Sequence, residues 1–362
     1  MRTCSVRSTA LSGRRLVALV AACITAVTLS GCGGSSGASG AQASKTYSTT
    51  EPLKMTVGVQ SLVLQTYYPQ LAQALGYFKD ENLSVSIVQG EATANSVQGL
   101  IGGSIDAYLG GPEGVAANEQ GANLRFMAGA ANRSIWDIVT PPGISSLKQL
   151  EGKVVAVSAV NSISTTTLRQ ALKANGVDPA KLQYVTAGGT GKRFAALKAG
   201  QAQAAPLGLP VNYQATDTEH FKDFGNTNSI GAPPLAAAVL TVNKTWADSH
   251  HNTMIRFLRA YQRVVDALYN PAMKERITGI LASGLKVDPK YAARGLNELF
   301  FDAKTAGTSM PKDSHIDPAA LTTAINAFVE FGALKKKAEP SSVIDETLLH
   351  EAQQSLMQSP PK

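Results

Sequence analysis

Cysteine, charge and late hydrophobic runs are all scarce in this sequence. Of the 362 residues only three are cysteine, and all three fall within the first 32 positions. The rest of the chain therefore has no thiol for a disulfide, a CxxC metal site or a cysteine nucleophile. After residue 31 no segment approaches the roughly 20 consecutive apolar residues that cross a membrane, so we expect no membrane-spanning body.

Apolar residues, in contrast, are plentiful. They make up 44% of the chain against 16% charged residues, and the mean hydropathy is close to zero, which is typical of a chain with a packed core. The length predicts two domains or one large one. Of the five histidines, the adjacent pair His250-His251 lacks the i, i+4 spacing and the cysteine partners of a metal site. We expect no metal and no cofactor.

The N-terminus is typical of an export signal. Residues 1–31 contain four arginines and no acidic residue, and an apolar-biased run lies between Leu16 and Leu29. A positively charged start followed by a short apolar run indicates a cleaved signal rather than a membrane-spanning helix. A twin-arginine route through Arg14-Arg15 and the general secretory route both remain open.

The segment that follows predicts a lipid anchor. Leu29-Ser30-Gly31-Cys32 resembles the bacterial lipobox, in which the cysteine sulfur is acylated, and residues 33–42 are nearly all Gly, Ser and Ala, as in a flexible tether. We predict a signal peptide at 1–31 and a lipid-anchored linker at 32–52. The mature chain would be held by Cys32 on the extracytoplasmic, periplasmic side of a bacterial membrane. An ordinary cleaved signal with an incidental cysteine is the alternative.

The formal net charge of +7 raises the question of a nucleic-acid partner. Four of the positive charges lie in the predicted signal, and cleavage before Cys32 leaves 29 basic against 26 acidic residues. A nucleic-acid-binding protein usually carries a pronounced basic patch or excess. The mature chain has lost most of that excess, so we expect no nucleic-acid partner.

One pattern of strands and helices occurs twice. Each copy has a strand, a polar loop, a helix, a glycine and a second strand, and the copies are about 98 residues apart. The predicted elements are 55–59, 67–75 and 85–88 in the first copy and 154–157, 165–173 and 182–185 in the second. Strands that alternate with helices pair in parallel, with helices on the faces of the sheet. We therefore predict an α/β protein with two lobes.

The pattern changes after residue 235, where a returning strand at 236–242 is followed mostly by helices. The predicted boundaries are 53–142 and 238–350 for lobe 1, 143–237 for lobe 2, and 351–362 for a tail. The chain then crosses between the lobes near 140–145 and again near 235–240. Two such crossings form a hinge.

Ligands of parallel α/β sheets bind outside the carboxyl ends of the strands. In two facing lobes the loops 60–67, 110–113, 158–165 and 188–191 surround one cleft, and Asn132 lies in a similar loop. The candidate ligand-binding residues are Gln60, Ser61, Tyr67, Tyr68, Gly111, Glu113, Asn132, Ser158, Asn161, Ser162, Ser164, Thr165 and Gly189. The predicted site contains no catalytic residue.

Several of these candidates also have a purely structural interpretation. The hydroxyl-rich loop 158–165 precedes a helix, where free N–H groups bind an anion or where Ser and Thr simply cap the helix. Gly111 either lets backbone approach a ligand or only forms a tight turn. Glu113, if it faces the cleft, repels a simple anion and favours an amine, amidine or pyrimidine N–H donor; otherwise it is a solvated first-turn residue.

The order of short motifs resembles a known family. Residues 74–83 (ALGYFKDENL), 103–107 (GSIDA) and 144–153 (ISSLKQLEGK) are similar to segments of the substrate-binding proteins of nitrate/sulfonate/taurine-type bacterial ABC importers. That family also includes binders of hydroxymethylpyrimidine precursors. The resemblance covers about residues 53–350 and implies the type II periplasmic-binding-protein fold. Asn82 stands where the family often has glycine, and a turn with positive φ accepts asparagine.

The resemblance also implies a function. The chain would be a non-catalytic, monomeric component of an ABC importer that captures a small organic solute, such as a sulfonate or taurine-like anion or zwitterion. It would deliver this solute to a membrane permease with its ATPase subunits. The alternatives are a binder of a pyrimidine (thiamine precursor) or an aromatic carboxylate, and an enzyme similar to hydroxymethylpyrimidine synthase. That enzyme uses a cysteine-rich segment, which the mature chain lacks. Few cations stand near the predicted cleft, Arg133, Lys192 and Arg193 being the nearest.

Overall fold

The computed structural model describes residues 53–89, 93–302, 307 and 309–359. The predicted signal peptide, Cys32 and the linker 32–52 lie outside the described residues. The strands are β1 (Leu53–Val59), β2 (Leu83–Gln89), β3 (Ala107–Gly110), β4 (Leu124–Ala131), β5 (Trp136–Thr140), β6 (Val154–Val157), β7 (Gln183–Thr186), β8 (Ala205–Gly208), β9 (Lys222–Asn226) and β10 (Ala238–Asn243).

The α-helices are α1 (Tyr68–Leu75), α2 (Tyr77–Asp80), α3 (Thr93–Gly102), α4 (Gly114–Asn118), α5 (Ile163–Ala174), α6 (Thr190–Lys198), α7 (Val211–Glu219), α8 (Lys244–Ser249), α9 (His251–Leu268), α10 (Lys274–Leu285), α11 (Pro289–Leu296), α12 (Pro318–Glu330) and α13 (Thr347–Gln358). A π-helical turn, Asn297–Phe301, follows α11. None of the helices in the described part of the chain has the length and apolarity needed to cross a bilayer.

Lobe 1 contains a five-stranded sheet in the order β2-β1-β3-β10-β4. β1 pairs in parallel with β2 and β3, whereas β10 runs antiparallel to β3 and β4. Val57, Val59 and Leu109 are completely buried, as expected for strands whose two faces are both covered. The larger core packs on one face, and a smaller cluster around Leu100 and Tyr108 packs on the other.

Lobe 2 repeats this arrangement. β5 lies between β8 and β9 and is antiparallel to β8, and β6 pairs in parallel with β7. A parallel bridge between Val155 and Ala204 and a hydrogen bond from Ala156 N to Ala204 O (2.9 Å) place β6 beside the start of β8. The order β7-β6-β8-β5-β9 therefore matches that of lobe 1 strand for strand, and the molecule has the predicted periplasmic-binding-protein fold.

The internal repeat predicted from the sequence is confirmed in its details. Gly103 precedes β3 with φ +72° and Gly200 precedes β8 with φ +68°, a region that side-chain-bearing residues rarely adopt. Each of these glycines turns the chain from a helix into the next strand. Asn82 also has a positive φ of 49°, so it fulfils the expectation for a position where relatives often have glycine.

The strand pairing shows that the first crossing between the lobes is not at its predicted place. β5 was assigned to lobe 1 in the range 53–142, yet it pairs with β8 and β9 of lobe 2. The chain therefore crosses at 132–135, between β4 and β5, and not at 140–145. The return falls at 227–237, between β9 and β10. The sequence pattern did not reveal the position of the first crossing, because β5 would be a buried strand in either lobe. Only its pairing partners show to which lobe it belongs.

The C-terminal helices complete lobe 1. α9 packs against α1, α2 and α13, and Arg259 on α9 pairs with the buried Glu81, its Nε lying 3.0 Å from Oε1. Residues 351–358, predicted as a tail, instead belong to α13, in which Leu349 and Ala352 are buried. Arg259 also donates a hydrogen bond to Ser355 (2.9 Å). A helix with one buried face is part of the fold.

Candidate functional site

Loops from both lobes meet around a cavity of about 10 Å³, which we call the interlobe cavity. Its volume corresponds to about one water molecule. The lining consists of Gln60, Ser61, Val63, Thr66, Ile135, Trp136, Ser158, Ser164, Gly189 and Arg193. Five of the predicted site residues are in this lining, namely Gln60, Ser61, Ser158, Ser164 and Gly189.

Direct contacts between the lobes close the interlobe cavity. Ser61 Oγ of lobe 1 accepts a hydrogen bond from the backbone N of Thr190, the first residue of α6 in lobe 2 (3.2 Å). Leu64 N donates to Leu209 O at 3.1 Å. Within lobe 1, Gln60 Oε1 accepts from Gly111 N (3.1 Å) and so ties the loop after β1 to the loop after β3. The structure is thus a closed form.

Hydroxyl groups at the start of α5 bond mainly to one another. Ser158 Oγ lies 2.6 Å from Ser162 Oγ and 2.8 Å from Ser164 Oγ. Ser162 caps α5 by accepting from Thr165 N (3.4 Å), and Thr165 Oγ1 donates to Ala159 O (2.6 Å). The capping interpretation of this loop is therefore correct for Ser162. Ser158 and Ser164 also line the interlobe cavity.

The positive charge of the interlobe cavity is Arg193. Its side chain is 1% exposed; it donates to Pro206 O, and its Nη2 donates to Thr190 Oγ1 at 3.0 Å. Nε has no hydrogen-bond partner in the described part of the chain. Burial lowers the pKa of this guanidinium to about 9, so it stays charged at neutral pH. Its hydrogen-bond partners are neutral oxygens, and a buried charge without a counter-ion is unfavourable.

Glu113 forms a third contact between the two lobes. It precedes α4 in lobe 1, and its Oε1 accepts a hydrogen bond from Ile163 N, the first residue of α5 in lobe 2 (2.8 Å). Helix N-termini favour negative charge, and here the protein's own carboxylate takes that place. The sequence-based alternatives placed Glu113 in the cleft or in solvent; the structure places it against the opposite lobe.

The surroundings of Glu113 are tight. A Cβ on Gly111 would lie 2.3 Å from Glu113 Oε2 and 2.5 Å from Ile163 Cγ2, so only glycine leaves room for this carboxylate. Oε2 is buried and has no hydrogen-bond partner in the described residues. Burial raises the pKa of Glu113 to about 7, although the hydrogen bond from Ile163 opposes the shift. The lack of a side chain at Gly111 therefore makes room for the contact between Glu113 and Ile163 across the lobes.

A larger opening of about 570 Å³ lies beside the Glu113 contact; we call it the flank groove. Lobe 1 contributes α3, α4 and α12, and lobe 2 contributes residues 159–162. The lining consists of Val97, Gln98, Ile101, Glu113, Ala116, Ala117, Gln120, Gly121, Ala122, Ala159, Asn161, Ser162, Phe328 and Ala333. Three predicted site residues, Glu113, Asn161 and Ser162, are therefore in this groove and not in the interlobe cavity.

Five predicted site residues are in neither lining: Gly111 and Thr165, whose contacts are given above, and Tyr67, Tyr68 and Asn132. Tyr67 packs its hydroxyl against Gly284 of α10, whose Cβ would overlap it, and Tyr68 packs on Tyr261 with ring centroids 5.1 Å apart. Both rings are in the core of lobe 1 because their apolar area is better buried there. Asn132 binds His315 O (3.0 Å) and Asp317 N (3.2 Å) and so fixes the segment before α12. These residues do not contact either opening.

The candidate list did not include Val63, Thr66, Ile135, Trp136 or Arg193, which also line the interlobe cavity, although Arg193 was noted as one of the cations nearest the cleft. Arg193 follows Gly189 by four positions, which puts it on the same face of α6 as the helix start, and this spacing was the available signal. Ile135 and Trp136 line the cavity because the chain crosses between the lobes at 132–135. No local pattern marks that crossing.

An acidic cluster spans the lobes near Trp136, in which Asp137 and Asp223 are half-buried and Glu298 is exposed. Burial and the nearby Asp223 and Glu298 raise the pKa of Asp137 well above its usual range. Asn212 donates to Asp137, and Tyr213 of lobe 2 donates to Glu298 of the π-helical turn in lobe 1. Nowhere in the described ranges do three or more His, Cys, Asp or Glu side chains come together as metal ligands.

Solved structures of low sequence identity share this fold. A ligand-binding component of an ABC-type import system from Staphylococcus aureus, solved with zinc bound, is 14% identical and superposes with a TM-score of 0.68 over 83% of this chain and 99% of that one. The alkanesulfonate-binding protein SsuA from Xanthomonas axonopodis pv. citri, bound to MOPS, is 17% identical, with a TM-score of 0.66 over 82% and 99%.

The periplasmic nitrate-binding protein NrtA from Synechocystis PCC 6803 is 14% identical, with a TM-score of 0.67 over 84% of this chain and 89% of that one. No curated protein sequence matches the chain. The family model described as NMT1/THI5 like matches residues 67–273, which is more than half of the 362 residues. The chain therefore belongs to the NMT1/THI5-like family.

Proposed function

We propose that this protein is the extracytoplasmic solute-binding component of an ABC importer. It captures a small organic solute with an anionic group, such as a sulfonate or a taurine-like zwitterion, and delivers it to a permease driven by ATPase subunits. Family membership and the shared fold support the class of protein. The observation that supports an anionic solute is Arg193, a buried guanidinium in the interlobe cavity whose hydrogen-bond partners are neutral oxygens.

Arg193 has neighbours that suit an anion. The N-terminus of α6 lies in the same place, since Thr190 N is the group that donates to Ser61 Oγ and Thr190 Oγ1 accepts from Arg193. A helix N-terminus and a guanidinium together provide N–H donors and positive charge for a sulfonate or carboxylate. Ser158 and Ser164, also of lobe 2, add hydroxyl groups to the same lining. We propose that these groups bind the head of the solute.

Binding requires the lobes to move. A cavity of about 10 Å³ cannot hold a sulfonate group, so the solute enters when the lobes are apart, and the lobes then close on it less tightly than in this structure. The two crossings at 132–135 and 227–237 are the places where such a rotation is absorbed. In this closed form Thr190 N donates to Ser61 Oγ, and a bound anion would compete for that N–H group. The solute shifts the population from the open to the closed form because it binds the closed form more tightly than the open one.

The proposal treats the protein as a receptor and not as an enzyme. The groups around Arg193 donate hydrogen bonds and carry charge, which is sufficient for recognition and release. We further propose that the protein acts as a monomer held to the membrane by acylated Cys32, so that it stays near its permease. Closure of both lobes around the solute would form the surface that the permease recognises.

Thermal melting against a solute panel tests the proposal. The chain without its first 46 residues is melted with taurine, alkanesulfonates, nitrate, aromatic carboxylates and hydroxymethylpyrimidines. A ligand at 100 times its dissociation constant adds about 2.7 kcal/mol, so a saturable rise for an organic anion is the expected result. A rise only for pyrimidines would replace the anion with the alternative ligand class. If nothing shifts and mass spectrometry of the denatured protein finds no carried-over solute, the receptor assignment fails.

A further inference from the structure

The flank groove has a volume of about 570 Å³, against about 10 Å³ for the interlobe cavity. Its volume lies within the roughly 300–1,000 Å³ that small-molecule sites occupy. Residues of both lobes and of α12 line it. An occupant of this groove therefore contacts both lobes at once.

The walls of the groove are largely apolar. Val97 and Ile101 of α3 face it together with Phe328 of α12, and Ile101 remains 43% exposed. Ala116 and Ala117 of α4 leave the space open because their side chains are short. A ligand with a hydrophobic body gains free energy by covering these surfaces, at roughly 25 cal/mol for each Å² of apolar area removed from water.

The groove also has a definite electrostatic character. Among its described lining residues, Glu113 alone is charged, and the lining contains no Lys, Arg or His. The carboxylate is held in place by Ile163 N, and its other oxygen has no hydrogen-bond partner in the described residues. A buried acceptor without a partner costs about 1–3 kcal/mol. A cation in the groove stabilises the ionised carboxylate through space, whereas an anion there destabilises it.

We propose that the flank groove is a second ligand site, which binds a primary amine with an apolar body, such as an arylalkylammonium ion. The apolar body covers Val97, Ile101 and Phe328, and the ammonium group lies beside Glu113. A cation within about 4–6 Å of a carboxylate stabilises its charged form even while Ile163 keeps its hydrogen bond. The amide of Asn161, which is exposed at the groove, provides a further acceptor.

This site is chemically distinct from the interlobe cavity. Ser162 lines the groove and Ser158 lines the cavity, and their hydroxyl oxygens, 2.6 Å apart, form part of the wall between the two. Arg193 is the charge on one side and Glu113 the charge on the other. The two openings thus select ligands of opposite charge, and each can be tested without the other.

The test uses three probes of similar shape: 2-phenylethylamine, the uncharged 2-phenylethanol and the anionic 3-phenylpropionate. Saturation-transfer NMR and thermal melting of the chain are followed at low salt and at a pH above 7, where Glu113 is ionised. We expect saturable binding of the amine, at least tenfold weaker binding of the alcohol and none of the carboxylate in the groove. Equal binding of amine and alcohol, or no saturable binding of the amine, overturns the proposal.

Two variants test whether the amine binds in the flank groove. Glu113→Gln retains an acceptor for Ile163 N but loses the charge, and should weaken amine binding at least tenfold. Glu119→Gln is the matched control, since Glu119 directly follows α4 but accepts hydrogen bonds from Lys335 N and Lys336 N outside the lining; it should leave amine affinity unchanged. An unchanged affinity in Glu113→Gln refutes the role of the carboxylate.

A second variant keeps the proposal testable if Glu113→Gln does not fold. Ala117→Trp fills the groove while Glu113 stays in place, and it should abolish amine binding without changing the response to the anions of the solute panel. Arg193→Gln should have the reverse effect. If amine binding survives Ala117→Trp, the amine binds elsewhere and the proposal is wrong, whatever the outcome for the anion site.

Discussion

The carboxylate of Glu113 in lobe 1 accepts a hydrogen bond from the backbone N–H of Ile163 in lobe 2, at 2.8 Å. Sequence reasoning left two interpretations of the N-terminus of α5, a site for an anionic ligand or a plain helix cap. In the closed form the protein's own carboxylate accepts a hydrogen bond from that N-terminus, and the uncompensated positive charge is Arg193 on α6. The two sites proposed above, one for an anion at Arg193 and one for a cation at Glu113, therefore carry opposite charges.

The Glu113 contact makes stability depend on pH. Burial raises the pKa of Glu113 from 4.5 to about 7, so the folded state binds the proton more tightly than the unfolded state. Its contribution is fully present below about pH 4.5 and is lost as the pH rises through about 7. We expect the melting temperature of Glu113→Gln to fall less than that of the native chain over this range. Parallel melting curves for the two proteins from pH 4 to 8 would contradict the assignment.

Asp137 should show the same direction of effect. Burial, with Asp223 and Glu298 adding like-charge repulsion, raises its pKa well above the usual range, so its contribution to stability is also lost with rising pH. Asp137→Asn removes one negative charge and keeps an acceptor for Asn212. We expect a higher urea midpoint at pH 7–8, by about 1 kcal/mol or more in the free energy of unfolding. Asp217→Asn, at an exposed position of α7, is the control and should change little.

Arg193→Gln should reduce the affinity for the anionic solute at least tenfold. The guanidinium supplies both charge and N–H donors, and charge-assisted hydrogen bonds are about twice as strong as neutral ones. Isothermal titration calorimetry with the anion identified in the melting panel measures the loss. Arg133→Gln is the matched control, because Arg133 is exposed near the same crossing. Equal losses in both variants would indicate a general electrostatic effect and not a site.

A reversible crosslink can test whether opening is required. A Cβ on Gly189 would lie 3.5 Å from Ser61 Oγ, close to what a disulfide needs, and Gly189 has an extended backbone (φ −61°, ψ 166°) that any residue can adopt. Without the first 46 residues the chain has no native cysteine. We expect the oxidised double variant Ser61→Cys/Gly189→Cys to lose the anion-induced melting shift and to regain it on reduction. The single Ser61→Cys variant should respond to the anion in both conditions.

The sequence predicted the repeated strand and helix units closely. The predicted strand 154–157 is β6 to the residue, and Gly103 and Gly200 have the positive φ that the repeat required. These features are local: apolar periodicity, glycine positions and loop composition specify them through a few neighbouring residues. The same kind of signal gave the thirteen candidate residues, of which eight line the two openings.

Tertiary structure decided what the local signals left open. The sheet partners of β5 set the place of the first crossing, and α13 joined the fold because lobe 1 offers it an apolar surface. Tyr67 and Tyr68 have the residue type of a binding site but are buried in the core.

The role of Glu113 likewise depends on a backbone N–H fifty residues later in the chain. A residue's chemistry is written in the sequence, whereas its partners are set by long-range packing, which no short segment encodes alone.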